Sequence, residues 1–169
     1  MTTQSDSPDS NVEAHESGAF DRQAFVVFRL GDERYAASVS EVREVLPMAP
    51  ATRVPRASAA LVGVMNIRGQ IMPILDLRTA FDVRSGIPRD ETTVLIMTPA
   101  AGPPVGALVD SVEDVTRLDA EAIEAPPFGA FDGGREAFVV GVVQRADGLI
   151  LVTDFTNLLT SSALNMAQR

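Results

Sequence analysis

The sequence predicts a mostly β protein made of two small five-stranded β-barrel subdomains packed together, with short helices and a C-terminal helix. Three observations carry that expectation. Short β-branched and aromatic runs recur along the chain, separated by Gly, Pro, Asp and Asn. The order of those runs repeats once within the chain. Each repeat, at roughly 60–70 residues, buries too little surface to stand alone, and short strands at that length avoid exposed edges by closing into barrels that share a core.

The elements follow in order. Residues 1–22 form an acidic tail, "MTTQSDSPDSNVEAHESG" at its start, too polar to offset the entropy of ordering. The folded domain spans 23–160, its two subdomains covering about 36–90 and 91–150 and sharing edge elements, with 161–169 as a C-terminal tail. "AFVVFRL", the turn "GDER" and "YAASV" make a hairpin. "VSEVREVL" sets Val39, Val42, Val45 and Leu46 at helix-like spacing and fits either a short helix or a bent strand. Pro47, Pro50 and Pro55 break regular structure. "LVGVMNI", a turn at Arg68-Gly69 and "QIMPILDL" make a second hairpin, where Pro73 marks an edge or a bulge. Residues 82–91 read as a linker.

The pattern then restarts. "TTVLIM" and "VGALV" are strands around the turn "PAAGPP", and "DSVEDVTRL" repeats the amphipathic stretch. "DAEAIEAPPFGAFDGGRE" is a loop opened by one helical turn. "AFVVGVV" and "LILVTDF" form the last hairpin, and "TNLLTSSALNMAQ" reads as the C-terminal helix. At an offset of 70, residues 35–45 lie over 105–115; at an offset of 78, residues 61–81 lie over 139–159. Val62, Gly63, Val64 and Asp76 thereby meet Val140, Gly141, Val142 and Asp154. An insertion in the 116–138 loop reconciles the two offsets.

Composition narrows the function. The chain has 169 residues, 46% hydrophobic and 22% charged, which suits a globular core. Its net charge of −9 repels phosphate backbones, and the basic residues are scattered, so nucleic-acid binding is disfavoured. A nucleic-acid-binding small barrel, which needs a basic groove with stacking aromatics, stays as the minor alternative. Without cysteine there is no disulfide, thiolate nucleophile or Cys-based zinc site. No run approaches the ~18 apolar residues of a membrane span, and the N-terminus lacks the basic and apolar regions of a signal peptide, so a cytoplasmic location is expected.

Catalytic chemistry is scarce. The single histidine, His15, lies in the acidic tail. No G-x-x-x-x-G-K loop occurs, and "FDGG" at 131–134 reads as a turn. The acidic run from Asp110 to Glu124 lacks the order of a calcium loop and reads as a solvated face. No metal or cofactor is expected. Asp76 and Asp154 are the best carboxylate pair, a hydrolase arrangement if they approach to ~5 Å. Their equivalent places in the repeat favour a structural role instead, as caps on the next helical turn. The spacing of Val39, Val42 and Val45 fits core packing or an apolar groove. Arg68, in a tight turn between apolar strands, either pairs within the chain or presents its guanidinium to a partner carboxylate.

The run "GVMNIRGQIMPILDLR" at 63–78 resembles the signature of the CheW-like family, a G-x-x-N-L-R-G core followed by an apolar run and D-L-R. "FVVFRLGDERYAASVSEVREVL", "VGALVDSVEDV" and "GLILVTDFTNLL" are similar to further parts of that family, so the resemblance extends from about Phe25 to Leu159. Ile67 stands where the family usually has Leu, and Thr153 where it usually has an aliphatic residue. The resemblance implies two SH3-like barrels and a non-catalytic, stand-alone adaptor that couples chemoreceptors to the histidine kinase CheA, or a CheW-like scaffold of a non-flagellar chemosensory pathway. It implies a groove for the receptor's hairpin tip lined by Val39, Val42, Val109 and Val112 with Arg68 nearby. It implies kinase contacts through Glu44, Val45, Val54 and Phe128, at receptor arrays on the membrane.

Overall fold

The computed structural model describes residues 22–100, 102–131 and 135–158. Ten strands form two five-stranded sheets. In chain order they are β1 (Arg22–Leu30), β2 (Glu33–Ser38), β3 (Val42–Pro47), β4 (Leu61–Ile67), β5 (Gln70–Asp76), β6 (Thr93–Met97), β7 (Val105–Val109), β8 (Ser111–Asp119), β9 (Val139–Arg145) and β10 (Gly148–Thr153). A four-residue helix, α1 (Leu77–Ala80), follows β5, and a matching helical turn at 155–158 follows β10. The rest of the expected C-terminal helix lies outside the described residues, as do His15 and most of the acidic tail.

The three expected hairpins form: β1 with β2, β4 with β5, and β9 with β10. The ambiguous "VSEVREVL" resolves into both of its options. A 3₁₀ turn at Val39–Glu41 leads directly into β3, with Val42 N–H donating to the Val39 carbonyl. Pro73 pairs with Val64 on β4, and the β5 ladder to β7 begins only at Ile74, so the missing N–H falls where that side is unpaired.

The sheets do not follow the linear halves. One has the order β8-β1-β2-β10-β9, the other β3-β6-β7-β5-β4. Each repeat therefore donates its first hairpin to one sheet and its other three strands to the other. The residue-90 boundary expected from the repeat falls inside the second sheet, between β5 and β6. The two sheets are equivalent strand for strand. Each has one parallel contact, β2 with β10 and β5 with β7, and its other pairings are antiparallel.

Both sheets curl so that the chain just beyond one edge strand bridges to the other edge strand. Beyond β3, Thr52 exchanges backbone hydrogen bonds of 2.9 and 2.8 Å with Val64 on β4. Beyond β8, Glu124 exchanges bonds of 2.9 and 2.8 Å with Val142 on β9. The residue before each bridge valine is glycine. A Cβ on Gly63 would lie 2.3 Å from the Thr52 carbonyl oxygen, and one on Gly141 would lie 2.2 Å from Ile123 Cγ2. The matched glycines of the repeat are thus the sites of closest approach at the seams.

Period-two alternation sorts the side chains into three cores. Val26, Phe28 and Leu30 of β1 join Tyr35, Leu75, Leu95, Met97, Ala107 and Leu151 between the sheets. Phe25 and Val27 point the other way, with Ala36, Ile150 and Val152, inside the first barrel. Ile74, Val94, Ile96 and Leu108 fill the second barrel. Covering both faces of the inner strands explains their nearly unbroken apolar sequences. Rings thread the central core: Phe28 stacks on Tyr35 at 5.8 Å, Tyr35 on Phe81 at 5.4 Å, and Phe81 on Phe138 at 5.9 Å.

The seam yields a test. Gly63→Ala must push the 52–64 bridge apart and is expected to cost about 1–3 kcal/mol in urea denaturation. Gly86→Ala, where a Cβ meets nothing within 4 Å, should leave the midpoint nearly unchanged.

Candidate functional site

The Arg68-Gly69 turn has φ of 53° and 84° at its two central residues, the positive angles of a type I′ hairpin turn. Asn66 Oδ1 accepts the Gly69 N–H at 2.9 Å and holds the turn. Arginine in this conformation costs roughly 1 kcal/mol or more, whereas Asn or Gly would fit freely. Its side chain stays 74% exposed, so burial does not offset that cost. Arg68 Nη2 instead reaches Glu44 Oε1 on β3 at 2.5 Å. Because β3 and β4 are the two edges of one sheet, the ion pair crosses the barrel seam. In the other barrel a non-equivalent residue, Arg145 on β9, donates to Thr116 Oγ1 on β8 at 2.9 Å.

The expected groove valines are placed unequally. Val39 is exposed on the 3₁₀ turn, whereas Val42 and Val112 are partly buried against the central core. Val109 is a correction. It is wholly buried, because the chain stays in the β7 ladder there, paired with Thr93, rather than leaving in a 3₁₀ turn as at Val39. It is a core residue and lines no surface. Val45 is exposed beside the half-buried Glu44, and Val54 is exposed on the loop after β3. Phe128 projects fully into solvent from the 123–131 loop.

Other exposed apolar side chains escaped the sequence reading. Ile71 is 63%, Val115 58% and Leu149 51% exposed. The repeat offsets could have found them, since Val115 is the equivalent of Val45 and Leu149 that of Ile71. Each barrel thus presents the same outward valine on its crossover strand and the same outward aliphatic residue after its hairpin turn.

Asp76 and Asp154 are helix caps. Asp76 Oδ1 accepts the Arg78 N–H at 3.0 Å, and Asp154 Oδ1 accepts the Thr156 N–H at 3.0 Å. Asp76 is also charge-paired: Arg78 Nε and Nη2 donate to its two oxygens at 3.0 and 3.1 Å. Arg78 Nη1 continues to Asp110 Oδ1 at 3.3 Å, and Asp110 Oδ2 accepts the Gly31 N–H at 2.6 Å. This buried cluster ties the β1–β2 turn of one sheet to α1 of the other. Thr153, the hydroxyl in an aliphatic place, is buried and donates to the Ala36 carbonyl at 2.9 Å across the parallel β2–β10 pair.

Electrostatics elsewhere follow the partners. The Arg29 and Arg34 guanidinium groups hold the Glu113 carboxyl below its ordinary range. Burial holds the Glu41 carboxyl above its range; the Thr156 hydroxyl opposes that shift, and the Asp154 charge adds to it. Among the described residues no group of three or more His, Asp or Glu is placed to hold a metal ion. Nor is any helix among them long and apolar enough to cross a membrane.

A model of the CheW-like domain family matches residues 24–163. Chemotaxis protein CheW of Klebsiella aerogenes is 34% identical over 142 residues, 84% of each chain. Protein FrzA of Myxococcus xanthus is 32% identical over 145 residues, 83% of this chain and 87% of that one. The crystal structure of scaffolding protein TtCheW from Thermoanaerobacter tengcongensis has a TM-score of 0.70 at 29% identity, covering 79% of this chain and 89% of that one.

The two caps predict different costs. Asp76→Asn breaks a buried charge pair and should lose about 3–5 kcal/mol in urea denaturation. Asp154→Asn keeps a good cap and should lose less than about 1 kcal/mol. Arg68→Glu should leave the far-UV circular dichroism spectrum unchanged and shift stability by less than about 1 kcal/mol, as for an exposed pair.

Proposed function

We propose that this chain, which belongs to the CheW-like domain family, is a non-catalytic adaptor that couples chemoreceptors to a CheA-type histidine kinase. The observation that carries this reading is the Arg68–Glu44 pair. A strained, exposed arginine pairs with a carboxylate beside the exposed Val45. Such a feature adds little to stability, and it gives a partner a preordered charge next to an apolar contact. Catalysis has no part in this reading, because the repeated carboxylates are engaged as caps.

In this proposal Val39, Val42 and Val112, with Arg68 close by, receive the hairpin tip of the receptor. Glu44, Val45, Val54 and Phe128 meet the regulatory domain of the kinase. The two subdomains act as one binding unit over 23–160, in the cytoplasm at membrane-associated receptor arrays. The exchange of hairpins between the sheets supports a single unit, since neither barrel is complete without strands from both repeats.

Calorimetric titration with the regulatory domain of the CheA-type kinase from the same cell tests the reading. One-to-one binding that Val45→Asp weakens by about 1–3 kcal/mol is the expected result. No binding by a folded protein overturns it. Val42→Asp is expected to weaken a receptor-tip peptide by a similar ~1–3 kcal/mol while the circular dichroism spectrum is retained.

A further inference from the structure

The chain passes between the sheets at two equivalent crossovers, and they are anchored by different means. At residues 109–111, Val109 is buried in the central core, and Asp110 is held by Arg78 and by the Gly31 N–H. At residues 38–42, none of the three residues of the 3₁₀ turn Val39–Glu41 is buried. Within the turn itself only polar contacts hold it, and Val42 beyond it packs against the central core.

Glu41 makes most of those contacts. Its carbonyl accepts the Thr98 N–H at 2.8 Å, at the end of β6. Its carboxylate accepts the Thr156 hydroxyl at 3.1 Å. Thr156 belongs to the same helical turn that Asp154 caps. That turn seats Phe155 and Leu158 in the central core, with Phe155 packed on Phe28 at 5.9 Å. Thr156 is the equivalent of Arg78. An arginine anchors one crossover through an acid, and a hydroxyl meets an acid at the other.

We propose that Glu41 is a positioning residue that couples the seating of the 155–158 turn to the placement of the Val39–Glu41 crossover. This rests on the reading of Val39 and Val42 as partner-facing. A receptor segment bound on those valines stabilises the seated turn, and a loosened turn displaces the valines. The coupling is reciprocal, as any linkage between two contacts of one element must be.

Amide hydrogen exchange on the full chain tests it. Glu41→Ala should speed exchange at Thr156, Asn157, Val42 and Thr98 together by about tenfold, with Arg78 and Asp110 unaffected. Glu41→Gln, whose amide oxygen still accepts, should restore most of the protection. Loosening of only one of the two segments overturns the proposal, and so does a Gln variant as loose as the Ala variant. A second arm needs no variant: a receptor-tip peptide added to the wild type should slow exchange at Thr156 and Asn157. Peptide binding without that protection overturns the coupling. If the peptide does not bind, the receptor reading fails, and the two variants still decide whether Glu41 couples the segments.

Discussion

The inner strands of both sheets must be covered on two faces at once, and the rest of the architecture follows from that constraint. Residues such as Val26 and Val27, adjacent in sequence, point into different cores. A single small barrel could fill its own interior but would leave its outer face in water. Two barrels placed face to face bury the outer faces against each other, and the central core so formed holds the largest buried rings. Exchange of hairpins between the repeats makes that packing obligatory, in the manner of a domain swap within one chain.

Exchange creates two crossovers, and a crossover brings backbone polar groups into a buried boundary where they need partners. The chain meets this need with acids. Asp76 and Asp154 cap the helical turns, and Asp110 and Glu41 reach them from the opposite repeat. The two latches are not chemically equal. Arg78 bridges two carboxylates at one, with Arg89 also 3.5 Å from Asp76, while Glu41 and Asp154 crowd a single turn at the other. One joint is held by charge pairing, and the other, which carries Val39, by a hydrogen bond between Thr156 and Glu41 beside the packing of Val42, Phe155 and Leu158.

The surface bears the features that the cores do not require. Arg68 accepts an unfavourable backbone angle and pairs across the seam with Glu44, and exposed valines recur on both crossover strands. Membership of a family of adaptors makes sense of that pattern. The scaffold holds a few charged and apolar side chains at fixed positions on its surface.

Much of this was legible in the residues. Turn chemistry gave the three hairpins, and the matched Gly63/Gly141 and Asp76/Asp154 positions announced a repeat whose glycines prove to be seams and whose acids prove to be caps. The "NIRG" run alone resembles the family's signature. Other features were out of reach. Val39 and Val109 are equivalent by sequence, yet one is exposed and one buried, because a 3₁₀ turn releases the chain after β2 whereas the β6–β7 ladder still holds Val109. Pairing of Arg68 with Glu44, 24 residues away, depends on how far the sheet curls. Local pattern determined which segments are strands, where they turn and that they come in two sets. Which set each strand joins was decided only by tertiary structure, since alternation along a strand is the same whichever sheet receives it, and only the simultaneous burial of both faces selects the exchange.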